Sequence, residues 1–118
     1  MDKIIKIGDK EVNFRATART PRLYRSIVGR DMIVDMNKLQ KAYSNKKKGE
    51  IANFDILDLQ IFEDTAFVMA YQANPEMNEK TPDEWLDTFD MFSIYEILPH
   101  ILELWVQNTQ TTSSAKKK

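Results

Sequence analysis

Residues 54–73 read FDILDLQIFEDTAFVMAYQA, and their periodicity decides the fold. Leu59, Phe62, Ala66, Met69 and Ala73 recur at intervals of three and four, so they share one helix face, and Ile61, Phe67 and Ala70 widen it. A stripe this broad predicts a central helix covered on several sides. Asn74-Pro75 ends it, because proline disfavours helical backbone at the residue before it.

Towards the N-terminus, a polar loop over 46–53 separates this helix from another whose stripe is Met32, Met36, Leu39 and Tyr43. Asp31 is placed to cap that helix, and Lys46, Lys47 and Lys48 fall where a helix C-terminus favours cations. Further back, Thr20-Pro21 reads as an N-cap followed by proline at the first helical position, and Gly29 as a C-terminal stop. Residues 3–7 and 11–16 are alternating, β-branched stretches joined by Gly8-Asp9-Lys10, which predicts a hairpin. A lone hairpin is marginal in water, so its apolar positions, Ile4, Val12 and Phe14, are expected to lie against the helices.

Towards the C-terminus, Thr81-Pro82-Asp83-Glu84 and Ser93-Ile94-Tyr95-Glu96 both have the form of a capping box. They predict a short helix over 82–88 and a longer one over 93–107, with a kink or break near 95–98 imposed by Pro99. The expectation is a mainly α protein: a small bundle of about five helices with an N-terminal β-hairpin, one domain over 1–107, and a disordered polar and basic tail over 108–118. The predicted core is Phe14, Leu23, Met36, Leu39, Leu59, Phe62, Ala66, Met69, Leu86, Ile97, Ile101 and Leu104.

Charge is sorted along the chain. Residues 1–48 sum to +8 and residues 49–115 to −12, while Lys116, Lys117 and Lys118 bring the total to −1. Such a dipolar chain either pairs its two halves internally or meets opposite charge on other molecules. The basic set Arg15, Arg19, Arg22, Arg25 and Arg30 includes Arg22 and Arg25 on one helix face, which suits phosphates, but the acidic half would repel a polyanion. A nucleic-acid-binding or regulatory module using the basic half is therefore the weaker alternative to a protein-binding role.

Motifs for chemistry are sparse. With no cysteine there is no thiol nucleophile, disulfide or Cys-type zinc site, which suits a reducing compartment. His100 is the only histidine and has no nucleophile motif beside it, so it reads as structural. Glu63 and Asp64 are adjacent and point to different azimuths, and the acidic run 76–90 lacks the central glycine of a calcium loop. Gly8, Gly29 and Gly49 stand alone, without a phosphate-binding loop. No enzyme activity, metal or cofactor is expected. No apolar run reaches the roughly 20 residues that span a bilayer, and the first residues lack a signal-peptide core, so a cytoplasmic location is expected.

Four segments together carry a family resemblance: residues 14–25 (FRATARTPRLYR), 29–31 (GRD), 83–87 (DEWLD) and 92–99 (FSIYEILP). In these the chain resembles the tail assembly chaperones of long-tailed phages and prophages of Gram-positive bacteria. The resemblance implies a small, mainly helical, non-enzymatic protein that coats the tape measure protein and helps recruit tail tube subunits, in some cases through a frameshift-extended form. Lys116, Lys117 and Lys118 require AAA or AAG codons, which suits such a frameshift. Charge segregation fits a coat, since subunits with a positive and a negative end add head to tail, and contacts that do not close make helical polymers. The expected contacts are Arg22, Arg25 and Arg30 on one subunit against Asp83, Glu84 and Asp87 on the next, with Trp105 as an aromatic anchor.

Overall fold

The computed structural model describes residues 2–44 and 54–106. Strands β1 (Asp2–Ile7) and β2 (Lys10–Arg15) form an antiparallel hairpin, followed by α1 (Thr20–Val28), α2 (Met32–Ser44), α3 (Ile56–Ala73), α4 (Pro82–Leu86), a 3-10 helix (Ser93–Ile97) and a further helix, α5, whose described part is 98–106. The protein is mainly α with an N-terminal hairpin, as its periodicity predicts. The polar loop and basic tail expected over 46–53 and 108–118 lie outside the described residues.

Helix α3 is the organising element. Its side chains at Ile61, Phe62, Ala66, Phe67, Val68 and Met69 are fully buried, and it touches β2, α1, α2 and α4. Asp55 starts it with a reciprocal capping box: its carboxylate accepts from Asp58 N at 2.7 Å, and the Asp58 carboxylate accepts from Asp55 N at 3.1 Å. Among the described residues all buried apolar side chains belong to one cluster, in which Phe14, Tyr24, Met36 and Leu39 close on α3 from the hairpin, α1 and α2. Nine of the twelve predicted core residues are fully buried, whereas Leu23, Leu59 and Leu86 are half-buried at its margin.

The hairpin register corrects one expectation. Ile5 pairs with Val12 and Lys3 with Phe14, so the inward face is Ile5, Ile7, Val12 and Phe14. Ile4 is 66% exposed on the opposite face, because side chains alternate and only one isoleucine of the Ile4-Ile5 pair can face the helices. Gly8 makes the tight turn at φ 63°.

Helix ends bear out some expected signals and correct others. Gly29 ends α1 in the left-handed conformation at φ 86°, and Asp31 caps α2 by accepting from Ile33 N at 2.9 Å. Thr20, expected as a cap, instead lies inside the first turn of α1. Its buried hydroxyl accepts from Thr17 N and donates to Gln72 Oε1 at 2.6 Å, and Gln72 Nε2 donates to Thr17 Oγ1. Thr81 does cap α4, accepting from Glu84 N at 3.1 Å, while Glu84 reaches one residue further back than a capping box requires and accepts from Lys80 N. The second box does not form: the Ser93 hydroxyl donates back to Asp90 O and a 3-10 helix follows. Helix α5 starts beyond it, so the expected break is present and Pro99 falls in a first turn, where its missing N–H costs no helical bond.

Candidate functional site

Helix α1 buries Tyr24 and rests Leu23, Ile27 and Val28 on the core, which turns Arg22 and Arg25 to solvent on the opposite side. Arg19, at the N-cap position, is exposed too and extends the line to three arginines at intervals of three. None of the three guanidinium groups has a partner among the described residues. Like charges one turn apart repel, so this row is held against its own electrostatics by the packing of the other face.

Arg30 has a different fate. Gly29 turns the chain so that the guanidinium folds back over α2 and α3, donating to Asp35 Oδ2 at 2.7 Å, to Asp64 Oδ2 at 2.9 Å and to Tyr24 Oη at 3.2 Å. The Tyr24 hydroxyl in turn donates to Asp35 Oδ2 at 2.7 Å. Burial works against the Arg30 charge, but the bonds to Asp35 and Asp64 outweigh it and raise its pKa. Burial followed by the Asp35 carboxylate also pushes the Tyr24 hydroxyl up. Asp64 is raised above its ordinary value by burial, which Arg30 offsets only in part, because that one cation serves two carboxylates and Asp83 lies near enough to add repulsion. These four side chains tie α1, α2 and α3 together.

Other cations are also engaged within the chain. Lys3 pairs with Glu103, Arg15 with Asp2, and Lys38 bridges Asp55 and Asp58 at 3.1 and 2.8 Å. Lys10 donates to Thr88 O and sits over the Phe89 ring, and Lys80 donates to Pro75 O beside the Tyr71 ring. Ion pairs at three of these cations, Lys3, Arg30 and Lys38, join the basic and acidic halves. Part of the segregated charge is thus neutralised within the chain, and the row Arg19, Arg22 and Arg25 is what remains on α1.

The acidic side resolves in the same way. Asp83 and Asp87 are exposed on and just after α4 without an ion-pair partner among the described residues, as is Asp90 in the following turn. Glu84 is spent on the Lys80 main chain. Between α3 and α4, a shallow pocket of about 360 Å³ is lined by Glu63, Asp64 and Asp83 together with Ile56, Leu59 and Leu86. Tyr95 donates to Glu63 at 2.6 Å, and that bond, with burial, pushes the phenol up to about 12.

Trp105, expected as an anchor, is half-buried on α5 and packs against the core. Of the other aromatics, Trp85 is buried, Phe89 and Tyr95 are half-buried, and Phe92 is 72% exposed. His100 is exposed, and among the described residues no group of three His, Asp or Glu is placed to hold a metal ion. Sequence reasoning missed the Tyr24, Asp35 and Asp64 partners of Arg30. The signal was present in part, since Asp64 stands on a helix apolar on several sides, where a carboxylate is kept only if paired.

Fold and surface define a small helical protein whose described residues include an unpaired basic row on α1 and unpaired carboxylates on and just after α4. No family model, curated protein or solved structure matches the chain.

Proposed function

We propose that this protein is a non-enzymatic assembly protein whose subunits join through opposite charges. The particular reading is a tail assembly chaperone that coats the tape measure protein of a long-tailed phage and helps bring tail tube subunits to it. One observation carries it: among the described residues Arg19, Arg22 and Arg25 and the carboxylates Asp83, Asp87 and Asp90 have no ion-pair partner, while Lys3, Arg15, Arg30 and Lys38 pair within the chain. The four-segment resemblance supplies the tape measure and tail tube partners. Uncommitted exposed charge of both signs on one subunit suits head-to-tail addition, because a heterologous contact joins two different, complementary surfaces. Arg30 and Glu84, part of the expected contact, take a smaller share here because intrachain bonds already hold them.

Charge reversal tests the contact. Arg22→Glu with Arg25→Glu should weaken self-association measured by sedimentation, and mixing with a variant carrying Asp83→Lys and Asp87→Lys should restore it. Unchanged assembly of a folded arginine variant removes this interface. A nucleic-acid role draws on the same arginine row, and it would show as DNA binding with a steep salt slope where the assembly reading expects none.

A further inference from the structure

Among the described residues strand β2 has a free edge, and that edge opens on a groove. Ile7 pairs with Lys10 across a two-residue turn, which makes this pair, and with it Ile5–Val12 and Lys3–Phe14, the hydrogen-bonded pairs of the ladder. The N–H and C=O groups of Glu11, Asn13 and Arg15 therefore point away from β1. No described residue bonds to them. Beside them runs a groove of about 670 Å³, with Val12, Ala70, Ala73, Met77 and Trp85 among its lining and Glu11 and Glu79 as its carboxylates. Lys10, the one cation lining it, is already held by Thr88 O and the Phe89 ring, so the uncommitted charge of the groove is negative.

We propose that this groove takes an extended, basic peptide segment as a third strand on β2. Main-chain groups at Glu11, Asn13 and Arg15 supply the hydrogen bonds, as in strand addition to a sheet edge. Because strand side chains alternate, every second residue of the segment faces the apolar lining and the others stand beside Glu11 on the outer face, where Lys or Arg is favoured. Ala70 and Ala73 leave room for branched aliphatic side chains at the inward positions. A second copy of the chain fits less well, since α3 and α4 already occupy the space under the added strand that a second subunit's helices would need. This inference stands apart from the assembly reading and uses a different surface.

The probe is the peptide acetyl-Lys-Val-Lys-Val-Lys-Val-Lys-amide, with a counterpart N-methylated at every second residue. Fluorescence anisotropy with the full chain should show saturable binding of the first, and binding at least about tenfold weaker for the second, which loses several main-chain bonds. Amide exchange should slow at Glu11 and Asn13. Asn13→Pro removes one outward N–H and spares the bonds to β1, since Asn13 faces Ile4 in a non-hydrogen-bonded pair, and it should weaken binding by a similar factor. Ala73→Phe, which fills the groove from α3, serves the same purpose if the proline variant fails to fold. Equal binding of the methylated peptide, protection confined to other residues, or no saturable binding overturns the proposal. Slowing of the same amides in the protein alone as its concentration rises also overturns it, with a second copy as the occupant.

Discussion

Asp64 shows how a single side chain sets a condition on the whole core. It is 9% exposed, shares Arg30 with Asp35, and titrates above its ordinary value of 3.8 because burial disfavours its charge. The folded chain then binds that proton more tightly than the unfolded chain does. Stability associated with Asp64 is therefore present at low pH and lost as pH rises from 3.8 through the folded pKa. The predicted outcome concerns Asp64→Asn, which cannot ionise: its stability relative to the parent should improve as pH rises above 3.8, read from urea denaturation at each pH. A gap that stays flat would show that the carboxylate is not raised. Phe62, with no exposed surface on α3, gives a second prediction at this scale: Phe62→Ala should cost about 3–5 kcal/mol, and a loss near 1 kcal/mol would mean that the cavity collapses.

Among the elements, helix boundaries separate signals that act locally from those that need the fold. Asp55 and Asp58 satisfy each other's main-chain N–H across the first turn of α3, and Lys38 from α2 holds both carboxylates. The Asp58 N–H first, and Lys38 after it, hold the Asp55 carboxyl below its ordinary value. Asp55→Ala should destabilise the protein by about 1 kcal/mol, whereas Ser93→Ala, at a box that does not form, should stay within about 0.5 kcal/mol. Equal losses at the two sites, measured by chemical denaturation, would contradict this account of the caps. The break at Pro99 follows from the same local rules. A proline that would break a continuous helix over 93–107 sits without penalty once a 3-10 helix ends at Ile97 and α5 begins at 98.

At the scale of the molecule, internal pairing leaves a basic row on α1 and an acidic run through α4 and the turn after it. Contacts made by such exposed charges are screened over a Debye length of about 10 Å at 0.1 M salt. Self-association should therefore weaken across a series from roughly 0.05 to 1 M salt, followed by light scattering. Association that grows with salt would point instead to an apolar contact, for which exposed Met91 and Phe92 would be the first residues to examine.

By itself, the sequence determined the elements whose cause is local. The three-and-four spacing of residues 54–73 places α3 at the centre, Gly29 stops α1, Asp31 and Thr81 cap their helices, and Gly8 turns the hairpin. Each depends on periodicity, on glycine's freedom to take a positive φ, or on a side chain reaching its own backbone a few residues away. Tertiary structure decided which isoleucine of the Ile4-Ile5 pair faces inward, because adjacent strand residues point to opposite faces and the face that meets the helices is set by the pairing with β2. It also took Thr20 from a cap into the Gln72 network and Arg30 from the surface into the Asp35 and Asp64 cluster, 34 residues away at its farther end. Charges close in space but distant in sequence leave no periodic trace. The surface available to a partner is thus what remains after the fold has paired the rest.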